Sequence, residues 1–203
     1  MNQPLLTQEL LSQMQGAPIR QLSGQLGIDP GQANQAVAAA LPLLMGALGR
    51  NSAQPQGADA LFGALQRDHA GGGGFDVGGL LGAVLGGGNS RQTDGAAILG
   101  HILGGGQPRA AQALGQGTGL DSGQAMKLMA LLAPIVMSFL AKRSSQQGLD
   151  AGGLGQLLGQ ERQQVRQQAG GGMLDTLLDQ DGDGDLDASD LLKLGMGLFG
   201  GKR

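Results

Sequence analysis

The chain of 203 residues contains no cysteine, no tryptophan and no tyrosine, and phenylalanine occurs only four times. The absence of thiols excludes disulfide bonds, zinc-thiolate sites, iron-sulfur clusters and catalysis by a cysteine nucleophile. Charged residues are also scarce, at 14% of the chain, and 13 basic against 16 acidic side chains give a formal net charge of -3. A folded core must therefore be built from Leu, Ala and Met.

Long hydrophobic runs and clusters of basic residues are absent as well. Residues 1–11 lack the basic region and the long apolar run of a secretory signal, which predicts a cytoplasmic chain. The most apolar windows, 36–49 and 128–141, are each 14 residues long. This is short of the roughly 20 residues that cross a bilayer, so both windows are predicted to be buried core helices rather than membrane spans. Basic residues are scattered, and no row of them could neutralise a row of phosphates.

Glycine, in contrast, is abundant, and Gly and Pro together account for 48 of the 203 residues. This content lies just below the level, roughly 25 to 30%, that is typical of low-complexity chains. The glycine runs at 71–74, 86–88, 104–106 and 170–172 predict flexible connectors between folded segments.

An internal repeat organises the rest of the sequence. When the chain is compared with itself at an offset of 92 residues, ten positions carry identical residues. They are Leu22, Gly27, Asp29, Gly31, Gln32, Ala33, Ala38, Pro42, Met45 and Leu48 in the first copy, and Leu114, Gly119, Asp121, Gly123, Gln124, Ala125, Ala130, Pro134, Met137 and Leu140 in the second. Each copy has a glycine suited to the left-handed position after a helix, and then an aspartate with capping-box spacing to a glutamine.

After each aspartate, apolar residues recur at helical spacing, which predicts two amphipathic helices with a wide buried face. Pro42 and Pro134 lie at matching places inside them, where a proline removes one backbone hydrogen bond and usually kinks the helix. The sequence therefore predicts that the two copies pack against each other, within one chain or between chains.

Short apolar segments that begin at or next to an aspartate occupy the rest of the chain, at 59–65, 75–85, 94–103 and 149–158. Each predicts an Asp-capped helix of two to three turns. Because no alternating strand pattern occurs, the predicted fold class is all-α, with duplicated short-helix modules joined by glycine-rich connectors.

The residues at 22–37 and 41–44, with the Gly-Leu segments at 79–81 and 153–154, resemble the YidB-like family of uncharacterised bacterial proteins (domain of unknown function 937). The resemblance implies a compact helical, homeodomain-like arrangement and no established activity. It supplies no catalytic residues. The repeat divides the chain into a first helical module with short helices at 1–106, a second module at 107–168, and a C-terminal segment at 169–203.

The C-terminal segment carries the only constellation with specific chemistry, since six of the sixteen carboxylates fall within twelve residues. The six candidate metal ligands are Asp179, Asp181, Asp183, Asp185, Asp187 and Asp190. With Gly184 at the sharp turn and Leu186 as the apolar anchor, their spacing follows the calcium loop of the EF-hand and resembles dockerin-type loops. We therefore expect one Ca2+ site with an EF-hand-like loop.

Asp190 stands where an EF-hand loop usually has Glu. Because Asp is one methylene shorter, weaker calcium binding or a smaller margin over Mg2+ is expected. Oxygen ligands without a nearby His or Cys argue against zinc, copper or iron. The alternative is an acidic, solvated turn. A lone site favours a structural role for calcium, and the sensing alternative is that calcium exposes Met196, Leu198 and Phe199 to a partner.

The sequence favours an interaction protein over an enzyme. His69 and His101 stand alone, without the partner residues that nucleophilic catalysis requires. We therefore expect no enzymatic activity, and a role in protein interaction or self-assembly.

Nucleic-acid binding is the alternative, because a short helix, a glycine turn and a second capped helix are typical of a helix-turn-helix. Gln32, Asn34 and Gln35 could contact adenine edges. The starts of the two candidate reading helices carry one cation, Lys127, so the positioning of phosphates would be missing.

Overall fold

The computed structural model describes residues 5–69, 76–85 and 94–168. The six aspartates of the predicted calcium loop lie outside these residues. Within the described ranges the chain is helical between short turns and contains no strand, which confirms the all-α fold class.

Nine α-helices lie in the described ranges. They are α1 Leu6–Met14, α2 Ala17–Leu26, α3 Pro30–Asn51, α4 Pro55–Ala64, α5 Val77–Leu85, α6 Gly95–Leu103, α7 Gln107–Thr118, α8 Ser122–Gln147 and α9 Ala151–Gln168. A π-helical turn, Leu65–His69, extends α4, and a 3-10 turn, Gly104–Gly106, joins α6 to α7.

The two long helices, α3 and α8, begin where the repeated aspartates predict. The Asp29 carboxylate accepts a hydrogen bond from the backbone N–H of Gln32 at 2.9 Å. At α8 the capping box is complete, since Asp121 accepts from the N–H of Gln124 and the Gln124 side chain accepts from the N–H of Asp121. Before each cap, α2 and α7 end in left-handed glycines, with φ of 68° at Gly27 and 74° at Gly119. The caps and stops predicted around α3 and α8 are confirmed. The predicted cap at Asp59 is wrong, because α4 begins at Pro55, where proline suits the first helical position, and Asp59 lies inside the helix.

Both long helices continue through their prolines. Pro42 lacks an N–H, so it cannot donate to the carbonyl of Ala38, and Pro134 likewise cannot donate to the carbonyl of Ala130. Neither proline ends its helix. The kink at these positions stays a prediction. The missing N–H leaves one backbone carbonyl in each helix without its usual helical donor.

A single hydrophobic cluster runs through α3 and α8 and includes buried side chains from every other α-helix. Leu44 in α3 and Leu132 in α8 are both completely buried. In the described part of the chain, α8 alone is long and apolar enough to cross a membrane by length and composition. Because 72% of its most apolar stretch is buried inside the fold, this helix is weak evidence for a membrane span.

The N-terminus of α1 is capped from far along the chain. The side chain of Glu161 in α9 is 5% exposed. Its carboxylate accepts hydrogen bonds from the backbone N–H groups of Leu6 and Thr7 at 2.8 and 2.9 Å, and from the Thr7 hydroxyl at 2.8 Å. An anion at a helix N-terminus also interacts favourably with the helix dipole. Glu161 thus fixes α1 to α9.

By compactness the chain divides into residues 1–162 and residues 163–203. The core, the caps and the cavity described below all belong to the first unit. Of the second unit, the structure describes residues 163–168 at the end of α9.

Candidate functional site

An open apolar cavity of about 680 Å³ lies between α4, α6, the end of α3 and the middle of α8. Most of its lining is aliphatic, from Leu48, Ala60, Leu61, Ala64, Ala97, Ile98, Ile102 and Met137. The volume falls within the roughly 300 to 1,000 Å³ that is typical of ligand and side-chain pockets.

The position of α6, which forms one wall, is fixed at both ends. At its start, Asp94 accepts a hydrogen bond from the N–H of Ala97 at 3.0 Å. Gly95 lies so close to the carbonyl oxygen of Ala130 that a Cβ at this position would overlap it. This is the carbonyl that Pro134 leaves without its helical donor, so the proline and the glycine together allow α6 to approach α8 closely.

At the other end of α6, the side chain of Asn51 donates hydrogen bonds to the carbonyls of His101 and Ile102, at 3.3 and 2.9 Å. These carbonyls belong to the last turn of the helix and lack helical donors. Asn51 is the last residue of α3, so the end of α3 holds the end of α6.

Four polar side chains border the cavity, from Asn51, Arg67, Asp94 and His101. Three of them already make local hydrogen bonds, because Asn51 and Asp94 cap α6 and the Arg67 Nε donates to the carbonyl of Gly63 at 3.0 Å. His101 is exposed on α6. The aliphatic lining is suited to binding an apolar group, and side chains of both charges lie at the edge of the cavity.

The sequence predicts neither this cavity nor its border. His101 was expected to stand alone. In the structure it lines the same cavity as Asp94, which lies seven residues, or about two helical turns, before it in the chain. The heptad spacing of these two residues is the only feature of the sequence that could have indicated their proximity. His69 lies in the π-helical turn.

The candidate reading helices of the helix-turn-helix alternative use their polar side chains within the chain. The Gln32 side chain at the start of α3 donates to the carbonyl of Thr118 at the end of α7, at 3.2 Å. Reciprocally, the Gln124 side chain at the start of α8 donates to the carbonyl of Leu26 at the end of α2, at 3.0 Å. Both donors and both acceptors are related by the same offset of 92 residues. The ends of α2 and α7 are thus each capped from the other half of the body.

Lys127 takes part in the same arrangement, since its ammonium group donates to the carbonyl of Gln25 at 2.7 Å. Asn34 and Gln35 are exposed on α3. The one cation at the starts of the two candidate reading helices is therefore engaged at the end of α2.

The predicted metal ligands, from Asp179 to Asp190, lie outside the described residues. Among the residues that the structure does describe, no group of three or more His, Asp or Glu side chains could hold a metal ion.

In the residues that the structure describes, the fold is an all-helical body with capped helices around one core. The family of bacterial proteins of unknown function DUF937 matches residues 8–143. Because the match covers more than half of the chain, the chain belongs to this family, in agreement with the resemblance seen in its sequence. No curated protein and no solved structure matches the chain.

Proposed function

We propose that this chain is a helical interaction protein that binds one Ca2+ through residues 179–190 and acts by contact with a protein partner or by self-association. The observation that carries the calcium site is the spacing of six aspartates around Gly184, which follows the EF-hand loop. Side-chain oxygens of Asp179, Asp181 and Asp183 would converge on the ion, and Asp185 would offer its backbone carbonyl.

The rest of the loop defines the expected selectivity. Asp187 would ligate through water, and Asp190 would supply the last carboxylate. Without a cation, six carboxylates within twelve residues repel one another, so an ion stabilises this segment electrostatically. Mg2+ is the competing ion. The Asp190 side chain is shorter than the usual Glu, so it would bind the ion less readily through both oxygens, and that bidentate contact favours Ca2+.

The apolar cavity supports the interaction role. It is concave, mainly aliphatic and open, and two of its four polar border residues, Asn51 and Asp94, are used to cap α6. These properties suit the binding of apolar side chains and not the transfer of protons.

Nucleic-acid binding is the second candidate, because α2 with α3, and α7 with α8, have the helix-glycine turn-capped helix order of a helix-turn-helix. The engagement of Gln32, Gln124 and Lys127 in hydrogen bonds within the chain argues against it. Salt-dependent retention of the protein on DNA would favour this candidate over the interaction role.

Isothermal titration calorimetry of the metal-free chain with Ca2+, repeated with Mg2+, tests the calcium site. We expect one Ca2+ per chain, bound more weakly than by a loop that ends in Glu. The Asp181→Ala variant should abolish the heat, while the matched control Asp59→Ala, which removes an exposed carboxylate in α4, should leave it unchanged. No heat and no change in thermal stability at millimolar Ca2+ would show that the segment is a solvated acidic turn.

Sedimentation velocity with and without Ca2+ separates the two roles of the ion. A calcium-dependent change in hydrodynamic size indicates calcium-regulated assembly. An unchanged size, together with bound calcium, indicates a structural ion.

A further inference from the structure

The two helical walls of the cavity, α4 and α6, both start at Asn51. The Asn51 side chain donates to the carbonyl of Ile102 at the end of α6, and the Asn51 carbonyl lies so close to Gly57, at the start of α4, that a Cβ there would overlap it. From this point the lining residues recur at helical spacing, from Gly57 to Ala64 in α4 and from Ile102 back to Ala97 in α6. The two helices therefore lead away from Asn51 in opposite chain directions.

The two charged residues of the cavity border lie at the far ends of these walls. Arg67 follows Gly57 by ten residues, and Asp94 precedes Ile102 by eight. At a rise of about 1.5 Å per residue, each charge lies about 12 to 15 Å along its wall from the end at Asn51. A ligand that fills the cavity therefore has aliphatic surroundings along its body, and it meets a cation and a carboxylate at the end away from Asn51.

Both charged groups keep hydrogen-bonding capacity for a ligand. In the described part of the chain, the Arg67 guanidinium donates through Nε to the carbonyl of Gly63, and the Asp94 carboxylate accepts through Oδ1 from the N–H of Ala97. The two Nη groups of Arg67 can donate to an anion, and Oδ2 of Asp94 can face a cation. Both side chains are exposed, so a head group at the protein surface can reach them.

The backbone at Arg67 is a second, independent indication of a site. Arg67 lies in the π-helical turn Leu65–His69, which extends α4. Turns of this kind are rare and are frequently found at functional sites. The position of Arg67 in this turn indicates that a ligand is recognised at this end of the cavity.

The lining favours a flexible alkyl chain over a flat ring. None of the described residues that line the cavity is aromatic, so the cavity offers no ring on which a flat ligand could stack. The wall of α6 from Asp94 to Ile102 is about 12 Å long, which is similar to the length of an extended chain of about ten carbons.

We propose that the cavity binds a single-chain amphiphile with a zwitterionic head group, such as a phosphocholine. The alkyl chain lies along the aliphatic walls with its end toward Asn51, the anionic group contacts Arg67 and the cationic group contacts Asp94. This inference goes beyond the proposed function, because it depends neither on the calcium loop nor on a protein partner.

Isothermal titration calorimetry of the full chain with decylphosphocholine, kept below its critical micelle concentration, tests the proposal. We expect one molecule to bind per chain. Octylphosphocholine should bind about tenfold more weakly, because each buried methylene changes the affinity about three- to fourfold. Free phosphocholine, which lacks the alkyl chain, should give no measurable heat.

Two charge variants test the contacts to the head group. Arg67→Gln should weaken the binding of decylphosphocholine about two- to fivefold, as expected for an exposed ion pair, and should not weaken the binding of decyltrimethylammonium. Asp94→Asn keeps the cap of α6, because Asn is as good an N-cap as Asp, and it should weaken decylphosphocholine but not decanoate. The matched control Arg109→Gln removes an exposed cation from α7 and should change none of these affinities.

A third variant tests the place of the alkyl chain. Ala60 lines the cavity and is exposed, so Ala60→Phe should fill the cavity without disturbing the core and should abolish the binding of decylphosphocholine. Ala113→Phe places the same ring on the exposed face of α7 and should have no effect. Circular dichroism of both variants checks that they remain helical.

The possible outcomes separate this inference from the proposed function. If decylphosphocholine does not bind, or if it binds equally to the Ala60→Phe and Ala113→Phe variants, the cavity is not a site for an amphiphile. If decanoate and decyltrimethylammonium bind as tightly as decylphosphocholine, the cavity does not select a zwitterionic head group, and the proposal is also wrong. None of these results changes the outcome of the calcium titration or of the sedimentation experiment described above.

Discussion

At the scale of single residues, Glu161 makes the hydrogen bonds with the largest sequence separation among those described. Its carboxylate is buried and accepts three hydrogen bonds from Leu6 and Thr7, more than 150 residues away in the sequence. The aspartate caps at Asp29 and Asp121 were predictable because an N-cap acts on the backbone three residues later. Glu161 was not predictable, since no local spacing relates it to α1.

Glu161→Gln should lower the free energy of unfolding by about 2 to 3 kcal/mol. The amide replaces one accepting oxygen with an NH2 group that faces N–H donors, and the remaining hydrogen bonds lose their charge assistance. Urea denaturation followed by circular dichroism measures the change.

The control for this variant is Glu9→Gln, which removes a partly exposed ion pair with Arg143 at 3.4 Å. It should change the stability by no more than about 0.5 kcal/mol. Equal effects of the two substitutions would contradict the role assigned to Glu161.

At the scale of helices, α6 depends on a close backbone approach to α8. Gly95→Ala should destabilise the fold by about 1 to 3 kcal/mol, because the new Cβ overlaps the carbonyl of Ala130. This cost exceeds the helix propensity that alanine gains over glycine.

Gly100→Ala is the matched control on the same helix. The nearest atom to its new Cβ would be the Gln107 Nε2 at 3.4 Å, an ordinary contact with a flexible side chain. We expect a gain of up to about 1 kcal/mol from propensity. Thermal denaturation of both variants compares them, and a stabilising Gly95→Ala would show that α6 does not sit closely on α8.

The starts of α3 and α8 are similar in sequence but make unequal sets of hydrogen bonds. The Gln124 side chain joins its capping box and also donates to Leu26, whereas hydrogen bonding by the Gln32 side chain is observed only to Thr118 in the described part of the chain.

We therefore expect Gln124→Ala to cost about 1 to 2 kcal/mol and Gln32→Ala about 0.5 to 1 kcal/mol. The exposed Gln35 in α3 provides the control, since Gln35→Ala should be close to neutral. Chemical denaturation of the three variants under one set of conditions ranks them, and the reverse order for Gln32 and Gln124 would contradict the assignment.

At the scale of the whole molecule, residues 1–162 form one compact unit around the cluster that contains α3 and α8. Leu48 and Leu140 hold matching positions in the two long helices and are 2% and 0% exposed. Since both side chains belong to the same core, their loss should weaken the same cooperative transition.

Leu48→Ala and Leu140→Ala should each lower the stability of this transition by about 2 to 5 kcal/mol. Differential scanning calorimetry measures whether the whole heat-absorption peak moves. Leu43→Ala, at the partly exposed position on α3, is the control and should cost less than about 1 kcal/mol. Two separate peaks, each shifted by only one of the substitutions, would show that the two halves unfold independently.

The sequence alone determined the features that depend on neighbours within one or two helical turns. These are the all-α class, the starts of α3 and α8 at Asp29 and Asp121, the left-handed stops at Gly27 and Gly119, and the buried faces of the two long helices. Each follows from spacing, because caps, stops and helical faces involve residues only a few positions apart. The spacing of the aspartates from Asp179 to Asp190 likewise predicts an ion site, which calorimetry can test.

Only the tertiary structure decided the features that join distant segments. It brought Glu161 to α1, Gln124 to the end of α2 and Gly95 to the carbonyl of Ala130, and it formed the open cavity that His101 borders. It also buried Pro134 and Ile135 in α8, whereas the matching Pro42 is half-buried and Leu43 is exposed in α3. These outcomes depend on how helices pack once their apolar faces meet, and side-chain shape and backbone approach across the core are not encoded by local spacing.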